Sequence, residues 1–289
     1  MSQPSILITG ATGTVGSEVV KALREQGHKP KVLVRNPAKA VSYNGALEIL
    51  EADLLQPTTL DHAFKSIERA FIMAPPTPEM EQMEANAFNA ALRAGVKHIV
   101  YLSNFGAGVF GPPVWDWHGN SERKLRALGI PSTILRPARF MTDTPFPFSW
   151  IGIKEYGTLS EATGEGKISM IDPRDIGAVA AKILTSGGHE GQTYELTSND
   201  LLSGSEIAAK ISAELGKKVG FIDSTPGDSR SLMTRIGIPD FVVETILRYC
   251  ETVREGRWHT TNSVAEILGK PPRDFDAWLR DKAATFSGG

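Results

Sequence analysis

The chain has 289 residues, 41% of them apolar and 22% charged, a balance that excludes global disorder. With 31 basic and 33 acidic side chains the formal charge is −2, so electrostatics give no reason to expect nucleic acid or a membrane as partner. The one cysteine, Cys250, rules out a fold stapled by internal disulfides, and neither a cationic leader nor a membrane-length apolar run is present; a cytoplasmic location is expected.

The first half alternates short β-branched runs with amphipathic segments, as in successive βα units around a parallel sheet. Ile6-Leu7-Ile8 reads as a strand buried on both faces. Ser17 to Gln26 follows as a helix with Val19, Val20 and Leu23 on one face and Gly27 as its stop. Strands are expected at Lys31–Val34, Leu47–Leu50, Ala70–Met73, His98–Leu102 and Ser132–Leu135, with helices at Thr58–Ser66, Glu79–Ala94 and Asp116–Leu128. Beyond Arg136, residues 140–150 are rich in Phe and Pro; Asp172–Leu184 is a strand end followed by a helix, Thr193–Leu196 a seventh strand, and the remainder from Ser203 mostly helical. The fold class expected is α/β: a Rossmann-type doubly wound parallel sheet with a smaller, mostly helical C-terminal region. Residues 1–149, with 170–197 returning to them, form the dinucleotide domain; 150–169 and 198–289 form the smaller substrate-side region.

The strongest motif is Gly10-Ala11-Thr12-Gly13-Thr14-Val15-Gly16, between a strand and a helix. Amides at a helix N-terminus bind a pyrophosphate, and glycines let it approach without a Cβ in the way. No lysine follows Gly16, so this is not a P-loop. At the end of the second strand, Arg35 suits a 2′-phosphate where an acid would take a ribose hydroxyl, which favours NADP(H) and leaves NAD(H) open; a solvated surface arginine is the alternative. Lys39 assists in the first reading. Asp53, with Leu54 beside it, is placed to meet the adenine or to cap the next turn. Ala74, Pro75 and Pro76 line the cofactor path by position, and Ser103 follows the fifth strand.

The glycine segment and Val34-Arg35-Asn36-Pro37 resemble the NmrA-like branch of atypical short-chain dehydrogenases. So do Gly129 to Pro137, Asp172-Pro173-Arg174-Asp175-Ile176 and Leu268 to Phe275. The resemblance implies a Rossmann domain with a small helical C-terminal region and a substrate cleft between them. It also implies either NADPH-dependent reduction of quinones or dyes, or a regulator that binds the dinucleotide and catalyses nothing.

Short-chain dehydrogenases of the usual kind pair a serine after the fifth strand with Tyr-x-x-x-Lys on the next helix. Ser103 matches the serine, but Val114 stands at the tyrosine position and His118 at the lysine position. Valine donates no proton, which disfavours simple ketone or alcohol substrates, since general acid catalysis contributes roughly 10²–10⁴-fold. His118 is then the candidate acid, its ordinary pKa of about 6.5 suiting neutral pH, with Glu122 one turn on to orient or charge it; a merely polar helix start is the alternative. The other histidines lack metal-ligand spacing, and no metal is expected. A flat apolar acceptor wants an aromatic cleft, for which Phe105, Trp115, Phe140, Phe146 and Trp150 are the substrate candidates, alongside Trp117 and Phe148; ordinary packing is the alternative for each. The expected function is an NADPH-dependent oxidoreductase passing hydride to a quinone-like or conjugated aromatic acceptor. The alternative is a non-catalytic NADP(H)-binding redox sensor of the NmrA type. A homodimer or a regulatory protein partner is compatible with either.

Overall fold

A computed structural model describes residues 3–143 and 149–287. In chain order its first half runs β1 (Ile6–Ile8), α1 (Thr14–Glu25), β2 (Lys31–Val34), β3 (Ile49–Glu51), α2 (Pro57–Phe64), β4 (Arg69–Ile72), α3 (Met80–Ala94), β5 (His98–Leu102), α4 (Val114–Ala127) and β6 (Ser132–Pro137). The second half adds β7 (Arg139–Phe140), α5 (Ser149–Tyr156), β8 (Thr158–Glu161), β9 (Lys167–Ile171), α6 (Pro173–Thr185), β10 (Thr193–Leu196) and β11 (Leu201–Ser203). It closes with α7 (Gly204–Leu215), β12 (Gly220–Asp223), α8 (Pro226–Arg235), α9 (Asp240–Arg254), α10 (Ser263–Leu268) and α11 (Phe275–Ser287).

Seven parallel strands make the central sheet, in the order β10-β6-β5-β4-β1-β2-β3. Parallel neighbours need crossovers, and the crossover helices cover both faces, which is why the strands are almost wholly apolar. Val19, Val20 and Leu23 of α1 pack with Ile176, Val179 and Ala180 of α6 on one face. Phe64 of α2, Ala87 and Phe88 of α3 and Leu125 of α4 pack on the other. The strand order reverses at β1, whose neighbours are β4 and β2. Crevices at such a reversal, beyond the carboxyl ends of the strands, are where doubly wound sheets bind ligands.

The sheet and its helices match the expected class, with ends displaced by a few residues. Helix α1 begins at Thr14, immediately after the glycine turn, and α4 at Val114. The second half departs further: β7, β9 and β11 form a three-stranded sheet, and β8 pairs with β12. These strands are two to five residues long and their partners lie far along the chain, so no local hairpin signal marks them. Among the described residues no helix is long and apolar enough to cross a membrane.

Two of the segments that carry the family resemblance meet in space. The Arg273 amide donates to Asp175 Oδ2 at 2.7 Å and its guanidinium pairs with the same carboxylate, tying the end of the chain to the start of α6. Helix α6 lies against α1 at Gly177, where a Cβ would sit 2.6 Å from the carbonyl carbon of Glu18. A Gly177→Val substitution is therefore expected to lower stability by about 1–3 kcal/mol through overpacking, measured by urea unfolding. Gly187→Val, at an exposed position with open space around it, should stay within about 0.5 kcal/mol of wild type in the same assay.

Candidate active site

The turn between β1 and α1 is built by close backbone approach. A Cβ on Gly16 would lie 2.1 Å from the Gly10 carbonyl oxygen, and Gly10 itself has φ +62°. Only glycine satisfies both positions. Thr9 Oγ1 bridges the Met73 backbone, donating to its carbonyl and accepting from its amide at 2.8 Å, and Tyr43 Oη donates to the Ala11 carbonyl at 2.8 Å, so the turn is held from beneath. Gly13 caps α1 without a side chain, no acid lies in the first turn, and the amides of Thr14, Val15 and Gly16 precede the first intrahelical bond, from Ser17 to Gly13. Unsatisfied amides at the positive end of a helix dipole, with no Cβ in the way, fit a pyrophosphate. Thr12, Gly13 and Thr14 are exposed at this end. Arg35 follows β2, exposed and without an ion pair among the described residues, with Lys39 exposed nearby in sequence. This arrangement fits a dinucleotide carrying an extra phosphate. Asp53 Oδ1 accepts from the Leu55 amide at 2.9 Å, capping the turn, while the carbonyl of half-buried Leu54 accepts from Asn86 Nδ2.

A cavity of about 320 Å³ opens past the carboxyl ends of β4, β5 and β6. Met73, Ala74 and Pro76 form its side nearest the glycine turn, Ser103 and Ala138 its floor, and Val114, Trp115 and His118 the α4 wall. Phe241, Tyr249 and Trp258 from the C-terminal region close it over. Buried Arg139 also reaches the cavity, neutralised by Glu161 at 3.2 Å and donating to Tyr249 Oη at 2.6 Å. The walls are thus largely apolar and aromatic with a few polar groups, the usual make-up of a small-molecule site.

Two polar clusters sit beneath the α4 wall. In the first, Ser103 Oγ donates to Glu122 Oε1 at 2.6 Å, and Arg136 forms a two-pronged pair with Glu122 at 2.8 and 2.7 Å. Burial alone would raise the Glu122 carboxyl, but the Arg136 and Ser103 hydrogen bonds outweigh it and hold the pKa below the usual range. In the second, His118 Nδ1 lies 3.1 Å from Tyr101 Oη, and Tyr101 donates to Glu84 Oε2 at 2.9 Å.

The geometry changes the roles expected from the sequence. Burial drives the His118 pKa down to about 4, so the ring is neutral at neutral pH rather than poised near its ordinary value. Its hydrogen-bond partner is Tyr101; Glu122 serves Ser103 and Arg136 instead. Ser103 lines the cavity, but its proton is committed to Glu122, leaving its oxygen to accept. Of the aromatic candidates, Trp115 and Phe140 reach the cavity. Phe105 lies behind the wall, stacked on Trp258 with centroids 4.9 Å apart, because its ring fills the junction between the β5 loop and the C-terminal region. Trp150 packs against the main core instead, and Trp117 turns toward Ala74, Met80 and Phe241. Phe146 and Phe148 lie outside the described residues. Ala74 and Pro76 face the cavity, whereas Pro75 is exposed and its carbonyl accepts from Thr77. Cys250 is buried, its thiol pushed up to about 12 by burial, and is inert as a nucleophile. Among the described residues no cluster of three or more His, Cys, Asp or Glu is arranged for a metal ion.

Tyr101 and Glu84 were not singled out by sequence reasoning, although one signal was present: Glu84 falls on the stripe of Met80, Met83, Ala87 and Phe88 that α3 turns inward. Phe241, Tyr249 and Trp258 were also missed, because their approach to the sheet depends on how the C-terminal helices fold back.

The sheet order, the glycine turn at its reversal and the adjoining cavity define a doubly wound dinucleotide-binding protein. More particularly, the NmrA-like family model matches residues 2–279, and the chain belongs to that family. It is 35% identical to an NAD(P)H azoreductase of Xenophilus azovorans over 97% of this chain and 99% of that one. Its structure is similar to that of an NADPH-dependent quinone oxidoreductase from Escherichia coli solved with NADPH, with TM-score 0.88, 26% identity and coverage of 97% and 99% of the two chains. It is also similar to a triphenylmethane reductase from Citrobacter sp. solved with NADP(H), with TM-score 0.86, 27% identity and coverage of 96% and 100%.

The Glu122 cluster makes a pH prediction. A carboxyl held below its unfolded pKa of roughly 4.3 stabilises the fold at pH values above that figure, and the contribution is lost as pH falls through the lower folded value. Glu122→Gln should therefore be less stable than wild type at pH 7 in urea unfolding, with the gap narrowing on acidification below about pH 4. A constant gap would show that the charge on Glu122 contributes nothing.

Proposed function

We propose that the chain is an NADPH-dependent oxidoreductase that transfers hydride to a flat, conjugated acceptor of the quinone or dye type, and that it does so without a Tyr-Lys pair. The observation that carries this reading is the placement of an apolar, aromatic-roofed cavity at the same sheet edge as the open N-terminus of α1, with Ala74 and Pro76 between the β4 end and the cavity. On this reading the amides of α1 hold the pyrophosphate and Arg35 the 2′-phosphate. The reduced nicotinamide, when bound, supplies a hydride. Trp115, Phe140 and Phe241 sandwich and desolvate the acceptor, and Arg139 contributes little net positive charge because Glu161 neutralises it. Val114 and His118 share the cavity wall at the spacing of the usual tyrosine and lysine. With no phenol there, the site suits acceptors whose reduced forms are stabilised by resonance rather than alkoxides that need an immediate acid. The azoreductase, quinone oxidoreductase and triphenylmethane reductase relatives all act, by their names, on conjugated molecules, which supports the same class.

Arg35→Asp should weaken NADPH binding by roughly ten- to a hundredfold, the equivalent of one charge-assisted hydrogen bond, while changing NADH binding much less in parallel calorimetric titrations. Equal losses for both coenzymes would remove Arg35 from phosphate recognition. Wild-type protein should consume NADPH in the presence of a quinone or dye, followed by absorbance. Tight NADPH binding with no turnover across a panel of both would instead identify a redox sensor.

A further inference from the structure

Glu84 is wholly shielded from solvent, yet among the described residues it has no ion pair. Its Oε2 accepts from Tyr101 Oη at 2.9 Å, its Oε1 accepts no well-directed hydrogen bond although the Ser121 hydroxyl and Ala74 amide are near, and Tyr101 Oη lies 3.1 Å from His118 Nδ1. Three proton-bearing groups therefore stand in line from the packed interior of α3, across β5, to the α4 wall of the cavity. Because Nδ1 is turned to Tyr101, Nε2 is the nitrogen left for a ligand in the cavity. A buried carboxyl without a cation is favoured as the neutral acid. Burial raises Glu84 to about 7, with the nearby Ser121 hydroxyl, Tyr101 and the Ala74 amide opposing part of that rise and Glu81 adding to it.

We propose that Glu84, Tyr101 and His118 form a proton relay that ends in the cavity, with His118 Nε2 donating to the reduced acceptor. The inference rests on the hydride-transfer reading. A quinone becomes a hydroquinone by gaining one hydride and one proton, and the relay supplies the proton. The Nε2–H bond of His118 breaks as the product oxygen gains hydrogen, Nδ1 takes the Tyr101 hydroxyl proton, and Tyr101 Oη takes the proton of Glu84. The product is neutralised, Glu84 becomes a carboxylate and His118 the Nδ1–H tautomer, so no imidazolium forms in a site that disfavours one. The relay starts with Glu84 protonated on Oε2 and donating to Tyr101 Oη, which donates to His118 Nδ1; it ends with Nδ1–H donating to Tyr101 and Tyr101 donating to the Glu84 carboxylate, the direction that bond has in the structure. After product leaves, a proton from bulk solvent enters at His118 Nε2 and returns to Glu84 by the reverse path, so each turnover consumes one solvent proton. Around the relay, Glu81 faces Glu84, Ser121 faces Glu84 and Tyr101, and Glu122 faces Tyr101 and His118 with its charge balanced by Arg136.

The test uses two acceptors. A naphthoquinone needs hydride and a proton, whereas a cationic triarylmethyl dye takes hydride at its carbocation centre and needs no proton. With NADPH present, Glu84→Gln and Tyr101→Phe should each lower naphthoquinone kcat by about 10²-fold relative to dye kcat. Wild-type naphthoquinone kcat should fall as pH rises through about 7, and both variants should lose that limb. A second readout needs no turnover. In cofactor-free protein, a carboxyl raised from roughly 4.3 unfolded to about 7 folded keeps its proton in the native state across that window, so the stability it contributes declines as pH rises from roughly 4.3 to 7. His118, lowered to about 4, contributes in the opposite direction over much of that range. The readout is therefore the urea-stability difference between wild type and Glu84→Gln, which should decline from roughly pH 4.3 to 7 and then level off. Equal losses on both acceptors, or a stability difference between wild type and Glu84→Gln that does not change with pH, would each overturn the relay. Wild-type turnover of neither acceptor would overturn the hydride-transfer reading itself, and the relay, left without a recipient, with it.

Discussion

The contact on which the rest of the structure depends is the passage of Gly16 against the Gly10 carbonyl. With no Cβ at Gly16, α1 can begin within one turn of the end of β1 and leave its first amides facing the crevice. A methyl group there would meet a backbone oxygen at 2.1 Å, too close for any adjustment short of moving the helix. Moving it would disturb more than the turn. Helix α1 is itself clamped to α6 where Gly177 meets Glu18, and α6 is pinned at its start by Arg273 from the far end of the chain. The open N-terminus of α1 is thus fixed by backbone packing on one side and by the C-terminal segment on the other.

Two buried acids on neighbouring helices, Glu84 of α3 and Glu122 of α4, show how surroundings decide charge. Glu122 is buried, but a two-pronged guanidinium contact and a serine hydroxyl stabilise its ionised form. Glu84 is buried with only neutral neighbours in hydrogen-bond contact, and its neutral form is favoured well into the range where an exposed carboxyl would be ionised. The difference does not come from helix propensity or from the residues next to them in sequence. It comes from which strand each faces: Arg136 stands at the end of β6, and Tyr101 lies within β5. Buried charges that lack partners titrate to neutrality instead of persisting.

This also explains how much of the site was legible in the sequence. The glycine turn, the alternating elements and the cavity-lining positions of Ser103, Val114, Trp115 and His118 follow from local spacing, because each depends on its distance along the chain from a recognisable strand or helix. The charge states were not legible. An unperturbed histidine pKa suggested a titrating acid, but a ring of α4 buried with Tyr101 for a neighbour is neutral at neutral pH. Nor was the roof of the cavity. Trp258 reaches Phe105 through a stacking contact between parts of the chain that no periodicity connects, and the same fold-back that brings Trp258 down displaces Phe105 from the substrate side. Aromatic content near the site was readable; which rings face the ligand depended on packing from more than a hundred residues away.

The absence of a phenol from the α4 wall does not leave the site without a tyrosine. Tyr101 stands one layer deeper, where its pKa is raised well above the ordinary value, chiefly by burial and further by the adjoining Glu84 carboxyl, so it is a poor source of a free phenolate. A tyrosine so placed is suited to passing a proton between neutral partners, since its hydroxyl can donate on one side while accepting on the other. The surface-facing tyrosine of ordinary short-chain dehydrogenases instead meets its substrate directly and has its acidity tuned by a lysine. In the proposed relay a shielded chain of three replaces that pair as proton source, and Val114 and Trp115 present apolar surface to the cavity. On the proposed reading, the exchange of one arrangement for the other favours flat, conjugated molecules over carbonyl compounds that need a tuned acid at contact distance, and it does so through shape and dielectric as much as through proton chemistry.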